Sequence, residues 1–301
     1  MATPREIRRR IRSITSITKV TRAMEMVAAA KMRRAQNAAL AMRPYATKSL
    51  ELLMHLAGQR GVSQEFHPLL THRDNVAHIG AVLITSNKGL CGGYNHNVLR
   101  VADHFLAQAQ APVGFITMGR IGRNAMLRSG QDIVADFDKV SDQPSLSEIT
   151  PLARVVMDDF LTGVFDEVYL IYTDFVNTMV QKPQVRPLLP LVNVAERLYV
   201  GKASTSATPK LVEYTYEPNP EQLLEVVLPR FIELQIFEAL LEAKASEHSA
   251  RMVAMRAATE NALDLVGDLT LSYNQARQSA ITKEMLDIVG GTEALAQASR
   301  Q

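Results

Sequence analysis

Both ends of this chain carry a helical repeat that is too long for an ordinary globular helix. Steps of four and three residues from Ile7 lead to Leu56 through mostly apolar positions, and the same steps from Leu241 lead to Ala280. Such spacing keeps a narrow apolar seam on one side of a helix. A seam of this kind needs a partner helix, so each end of the chain predicts a helix that pairs with another.

Little in the two stretches would break a helix. Residues 230–289 contain no proline and one glycine, Gly267, and Pro229 suits a first helical turn, where its missing N–H costs nothing. We predict helices over 4–57, with any kink at Pro44, and over 230–289. We expect the two helices to pair as a coiled coil. The alternative is two helices lying on a globular core, which would show wider apolar stripes.

The middle of the chain alternates short apolar runs with helical stretches, which is typical of a small parallel or mixed α/β sheet. We predict an N-terminal helical domain, an α/β domain and a C-terminal helical domain, over 1–60, 75–218 and 219–301. The predicted strands are 78–86, 112–118 and 166–175, with an edge strand at 211–217 after a polar loop at 199–210. The predicted helices are 95–110, one from about 119, and 145–163, which Ser145 begins as a helix cap with Glu148 three residues later.

Composition excludes several classes of protein. Lys and Arg number 33 against 31 Asp and Glu, so the net charge of +2 does not indicate a nucleic-acid binder. No apolar run approaches the roughly 18–20 residues that a membrane-spanning helix needs. The single cysteine, Cys91, excludes an internal disulfide and a cysteine-based metal cage, and we expect it to be buried.

The glycine-rich turn at 86–95 resembles a phosphate cradle, but its motif is incomplete. Lys88 precedes the glycines instead of following them, as a Walker A loop requires, and Gly119 with Gly122 lack dinucleotide spacing. His67, His72 and His78 lack nearby carboxylates or thiols, so we interpret them as solvated loop residues rather than metal ligands. We find no catalytic constellation. A nucleotide-binding α/β protein with a coiled-coil arm remains the alternative function.

The first 34 residues hold ten basic and two acidic side chains, a local charge of +8. This charge is typical of a transit peptide or of a nucleic-acid contact. The seam, however, runs on past the point where a cleaved peptide would end. The sequence therefore favours mature structure, with the basic side chains on a solvated or partner-facing flank.

Five segments spread over nearly the whole chain form a recognisable set: AMEMVAAAKM at 23–32, KGLCGG at 88–93, ARMVAM at 250–255, ARQ at 276–278 and ITKEMLDIVGG at 281–291. In sequence and order they resemble the gamma subunit of F-type ATP synthase. Position 292 departs from that family, with threonine where the family pattern has alanine.

The resemblance implies a fold with an antiparallel coiled coil of the two terminal helices beside a small Rossmann-like α/β domain. It implies a non-catalytic rotor shaft inside a ring of three alpha and three beta subunits, with the active sites on beta and no cofactor on this chain. Proton flow would turn the membrane c-ring, to which the shaft is attached together with the epsilon subunit. Residues 214–218 resemble part of the foot. We expect a peripheral protein on the cytoplasmic side of a bacterial plasma membrane.

The resemblance also assigns partner contacts to six residues: Met24, Arg251, Arg277, Gln278, Thr282 and Glu284. Arg277, Gln278 and Thr282 match family positions that hydrogen-bond to a loop of beta, with Glu284 beside them. Arginine suits such a contact because its planar fork holds a carboxylate with two hydrogen bonds. Met24 and Arg251 match a pair that faces the moving arm of beta.

Overall fold

Five strands and three short helices lie between two very long helices in the computed structural model, which describes residues 3–57, 67–73, 75–191 and 220–298. The helices are α1 (Pro4–Ala57), α2 (Tyr94–Gln108), α3 (Arg120–Arg128), α4 (Leu146–Leu161) and α5 (Pro220–Ala298), with a 3-10 turn at Pro68–Leu70. The strands are β1 (Ile79–Ile84), β2 (Val113–Met118), β3 (Asp132–Phe137), β4 (Glu167–Phe175) and β5 (Gln181–Leu189).

The strands form one sheet in the order β3-β2-β1-β4-β5. The first four are parallel, and β5 is antiparallel to β4. The strand order reverses direction between β1 and β4, so their carboxyl ends flank the crevice where doubly wound α/β proteins bind ligands. The predicted Rossmann-like α/β fold is confirmed.

Helices cover both faces of the sheet. Val98 of α2 and Met126 of α3 belong to the buried cluster on one face. Phe160 of α4 and Phe231 of α5 belong to the cluster on the other. The strands supply both clusters because successive side chains point to opposite faces.

Two strands, β3 and β5, are absent from the sequence prediction because both lie at sheet edges. Along β3 the side chains alternate between exposed and half-buried, so no apolar run marks it. Two prolines, Pro183 and Pro187, interrupt β5. Proline lacks an N–H and would disrupt a central strand, but an edge strand pairs on one side and tolerates it.

The prediction that Pro229 begins the C-terminal helix is wrong. The helix begins at Pro220, and Pro229 lies inside it. An internal proline loses one helical hydrogen bond. Tertiary packing overrides this loss, because Leu224, Leu228 and Phe231 on either side are buried in the core.

The chain divides into two compact units, one of Ala28–Arg251 and one of Met1–Val27 with Met252–Gln301. In the second unit α1 and α5 run antiparallel. The hydroxyls of Thr21 and Thr259 are 2.7 Å apart, and Nε of Arg256 donates to Oε1 of Glu25 at 2.8 Å.

The side chains at the seam positions predicted from the sequence are those that are covered in this unit. Every seam position from Ile7 to Glu25 on α1, and from Met252 to Ala276 on α5, is buried or half-buried. Thr259 breaks the apolar pattern but is buried, with its hydroxyl bonded to the carbonyl of Met255 at 2.8 Å. The two helices therefore contact each other along the predicted side, and a regular coiled coil stays a prediction.

Other predictions have mixed outcomes. Cys91 is buried, as expected. Ser145 caps the N-terminus of α4, and its N–H donates to Oε1 of Glu148 at 3.2 Å, which confirms the predicted cap. The loop at 199–210, the strand at 211–217 and the foot at 214–218 lie outside the described residues. The domain boundaries at 60, 75 and 218 stay predictions.

Candidate functional site

The C-terminal end of α5 presents four of the six predicted contact residues to solvent. Every side chain from Arg277 to Thr292 is exposed. Arg277, Gln278, Thr282 and Glu284 all lie in this stretch, and the hydroxyl of Thr282 donates to the carbonyl of Gln278 at 3.0 Å. Because the seam with α1 ends at Ala276, the helix continues beyond it without cover from the described residues.

Large apolar side chains share the helix face of these four residues. At about 100° per residue around the helix axis, the four predicted contact residues and these apolar residues together fall within an arc of about 160°. The apolar members are 50–62% exposed, whereas Lys283 and Asp287 lie on the opposite side. We call this surface the tip face, formed by Arg277, Gln278, Ile281, Thr282, Glu284, Met285, Ile288 and Val289.

A surface of this composition is suited to bury against another protein. Water is a poor solvent for the exposed Ile, Met and Val side chains, so covering them stabilises a complex. The polar side chains between them can donate or accept hydrogen bonds that set the register of a partner.

The other two predicted contact residues are less accessible. Met24 is half-buried on α1. The side chain of Arg251 is 11% exposed, and its Nη1 donates to Oε1 of Glu247 at 2.7 Å. Its Nη2 donates to the carbonyl oxygens of Lys88 at 3.1 Å and Gly89 at 3.3 Å. Arg251 is therefore engaged within its own chain, and a direct contact of Met24 or Arg251 with a partner stays a prediction.

Arg251 belongs to a set of α5 side chains that bind the carboxyl edge of the sheet. The hydroxyl of Ser246 donates to the carbonyl of Thr173 in β4 at 3.2 Å. The hydroxyl of Ser249 donates to the carbonyl of Thr178, in the turn after β4, at 2.7 Å. Together with Arg251 at the turn after β1, these donors place α5 at the crevice between β1 and β4. We call them the edge donors: Ser246, Ser249 and Arg251.

Charged side chains accompany the edge donors into the interior. Lys244, Glu247 and His248 are 7%, 5% and 2% exposed. Glu247 accepts from Nζ of Lys244 at 3.4 Å as well as from Arg251. Burial alone would raise the pKa of the Glu247 carboxyl, but the cations Lys244 and Arg251 outweigh it and hold that pKa below its ordinary value. Glu247 is therefore the anion that balances two nearly buried cations.

Burial lowers the pKa of His248 to about 4, with Arg251 and Lys244 adding to the effect against Glu247 and Asp142. Between the ordinary value of 6.5 and about 4, the unfolded chain binds a proton that the folded chain excludes. Stability should therefore fall as the pH drops through this window, by about 2.5 kcal/mol at pH 4.5. Urea unfolding at pH 7 and 4.5 measures the loss.

The matched control for this pH dependence is a second histidine. A His248→Gln variant should lose the pH-dependent part attributed to the imidazole. A variant of the exposed His72, His72→Gln, should keep it. Equal pH dependence in the wild-type chain and in His248→Gln would contradict the assignment.

Protein groups satisfy backbone N–H groups in both glycine-containing turns at this edge. In the turn that resembles a phosphate cradle, the N–H of Ser86 donates to Oδ1 of Asn95 at 3.1 Å. The N–H of Arg120 donates to Oδ1 of Asn87 at 3.0 Å, and the N–H of Gly122 donates to Oγ1 of Thr85 at 2.9 Å. These two N–H groups at the beginning of α3 are satisfied within the chain. With α5 at the crevice as well, the geometry disfavours the nucleotide-binding alternative at this edge.

The described part of the chain contains neither a cluster of metal ligands nor a membrane-spanning helix. No group of three or more His, Cys, Asp or Glu side chains is arranged there to hold a metal ion. Nδ1 of His67 accepts from the N–H of Leu69 at 3.2 Å, and the ring of His78 lies 2.7 Å from the carbonyl of Ala77. None of the described helices combines the length and apolar content needed to cross a bilayer.

Known proteins are similar to this chain in sequence and in fold over nearly its full length. A family model described as ATP synthase matches residues 3–295. The ATP synthase gamma chain of Roseiflexus castenholzii is 46% identical over 300 residues, which cover 99% of this chain and 100% of the relative. The chain belongs to the ATP synthase gamma-chain family. The gamma chain of Dehalococcoides mccartyi is likewise 46% identical over 296 residues, covering 98% of this chain and 100% of the relative.

A solved structure agrees with the fold of this gamma-family chain. A chain in the rotor of the Euglena gracilis mitochondrial ATP synthase, in rotational state 1, has a TM-score of 0.62 and 20% identity. The likeness covers 92% of the present chain and 98% of the other. At this identity the comparison supports the fold.

The sequence of this gamma-family chain identifies Arg251 and four residues of the tip face, but it does not identify Ser246 and Ser249. The family motifs contain Arg277 and Gln278, so a search by resemblance finds them. Ser246 and Ser249 lie on no motif, and their acceptors are backbone carbonyls that any residue carries. The one available signal was His248, a polar residue on the apolar seam of the C-terminal helix.

Proposed function

We propose that this gamma-family chain is the non-catalytic rotor shaft of a proton-translocating F-type ATP synthase. It couples rotation of a membrane ring to ATP synthesis and hydrolysis at active sites on the beta subunits. The observation that carries the proposal is the tip face of α5, because the helix is exposed there around its whole circumference.

The composition of the tip face suits a shaft that turns inside a ring. Apolar contacts are non-directional, so Ile281, Met285 and Ile288 can exchange one neighbour for another as the helix rotates. Hydrogen bonds are directional, so Arg277 and Gln278 can hold selected angular positions. Together these groups allow rotation with preferred stops.

The proposed assembly has three alpha and three beta subunits around one copy of this chain. The epsilon subunit and the c-ring bind at the foot, and the complex lies on the cytoplasmic side of a bacterial plasma membrane. Bacterial gamma chains at 44–46% identity support this setting.

Reconstitution tests the function directly. The purified chain is mixed with alpha and beta subunits from the same source, and ATP hydrolysis is followed over time. We expect sustained hydrolysis that no single component shows, at one copy of this chain per three beta subunits. Failure to assemble, or assembly without any rise in hydrolysis, would argue against the shaft.

Replacing Arg277 by alanine should lower hydrolysis of the reconstituted complex about tenfold. A hydrogen bond to a charged group contributes about 1.5–3 kcal/mol, and about 1.4 kcal/mol corresponds to a factor of ten in rate. Folding should be unaffected because the side chain is exposed. The steady-state ATPase rate, at equal subunit incorporation, is the measurement.

Lys283→Ala is the matched control, because it removes a charge from the same exposed helix on the side opposite the tip face. It should leave the rate within about twofold of wild type. Equal losses in the two variants would remove the special role of Arg277.

A further inference from the structure

Leu90 has an unusual backbone conformation in the turn after β1. Its φ is +63°, in the left-handed region, and its side chain is 64% exposed. This conformation costs an L-residue about 1–2 kcal/mol, so surrounding contacts must hold it in place. Because the side chain faces solvent, those contacts must act on the backbone of the turn.

Arg251 supplies such contacts. It donates to the carbonyls of Lys88 and Gly89, the two residues that precede Leu90. Its other terminal nitrogen binds Glu247, so the planar guanidinium is fixed at both ends. Arg251 therefore connects α5 to the two residues that precede the exposed leucine.

We propose that Arg251 is a positioning residue, which holds the Lys88–Leu90 turn against α5 and acts on partners through that turn. This replaces the direct partner contact predicted for Arg251 from the sequence. The part that concerns partners rests on the proposed function. The part that concerns the turn is independent of it, because all the atoms involved belong to this chain.

The chain carries its own reporter for this turn. Cys91, its one cysteine, follows Leu90 and is 2% exposed. Its Sγ lies 3.1 Å from Nδ2 of Asn95 and 3.9 Å from the carbonyl oxygen of Lys88, the same oxygen that Arg251 binds. A thiol reagent can therefore react with Cys91 only when the turn opens and exposes Sγ.

The experiment measures the rate at which a maleimide labels Cys91 in the folded, full-length chain without denaturant. Arg251→Gln removes the charge and the Nη2 group that donates to both carbonyls, so labelling should accelerate at least tenfold. Arg251→Lys, which can still donate to one carbonyl, should give an intermediate rate. Arg256→Gln removes an arginine that lies further along α5 and pairs with Glu25, so it should label at the wild-type rate.

A core variant separates loosening of the turn from general instability. Val156 is fully buried in α4, and Val156→Ala destabilises the chain without touching the turn. The proposal is overturned if Arg251→Gln labels no faster than wild type. It is also overturned if a stability-matched Val156→Ala variant accelerates labelling to the same degree.

Hydrolysis by the reconstituted complex tests the step to partners. If Arg251 acts through the turn, Leu90→Ala and Arg251→Gln should each lower the rate, and the double variant should be no worse than Arg251→Gln alone. Additive losses, or a loss confined to Arg251→Gln, would favour a direct contact and overturn this step. Failure of the complex to form would count against the shaft function, while Cys91 labelling would still decide the role of Arg251 in the turn.

Discussion

Replacing Glu247 by alanine should destabilise the α/β region by about 3–5 kcal/mol, the range for breaking a buried ion pair by removing one partner. Glu247 accepts from both Lys244 and Arg251, and all three side chains are at most 11% exposed. Without the carboxylate, two cations would remain in a site that has little access to water. Urea unfolding followed by tyrosine fluorescence is the measurement, since the chain has no tryptophan.

Two comparisons test the cause of this loss. Glu25 pairs with Arg256, whose side chain is 59% exposed, so Glu25→Ala should cost less than about 1 kcal/mol. Adding Lys244→Met to Glu247→Ala should recover part of the stability, because one unpaired buried charge disappears. A loss of about 1 kcal/mol or less in Glu247→Ala would show that water reaches this cluster.

Gly119→Ala should destabilise the chain by about 3–4 kcal/mol, the sum of backbone strain and overpacking. Gly119 has a φ of +104°, which side-chain-bearing residues rarely adopt. A Cβ at this position would overlap the carbonyl oxygen of Thr85 and lie 2.8 Å from its carbonyl carbon. Since that carbonyl belongs to the backbone after β1, it cannot move aside without disturbing the sheet. Urea unfolding again gives the free energy.

Gly130 provides the matched control. Its φ is +70°, but a Cβ there would meet nothing within 4 Å. Gly130→Ala should therefore lose about 1 kcal/mol from the backbone alone. If Gly119→Ala were as mild as Gly130→Ala, the close approach of Thr85 would have no energetic consequence.

Periodic and strongly apolar segments were predictable. The seam from Ile7 to Glu25 is recorded in local spacing, and a helix places residues three and four apart on one side wherever it lies. Buried strands such as Ile79–Ile84 are apolar throughout because both of their faces are covered. Edge strands lack this continuous apolar run. The strand Gln181–Leu189, which also contains two prolines, was therefore not predicted.

The candidate site divides in the same way. Arg277 and the rest of the tip face lie on one exposed helix, where linear order and helical geometry suffice to group them. The contact of Arg251 with Lys88 joins residues 163 positions apart. No spacing rule connects them, because the acceptor is a backbone carbonyl and carries no sequence signal.

The sequence by itself determined the two long helices, the α/β class of the middle region and the family. These follow from helical periodicity, apolar runs and motifs, which are local properties of the chain. The tertiary structure alone decided that Pro229 lies inside α5, that polar side chains of α5 occupy the crevice of the sheet, and that Arg251 binds its own chain. Those outcomes depend on which distant groups become buried together. A buried polar group must find a partner wherever the fold places one.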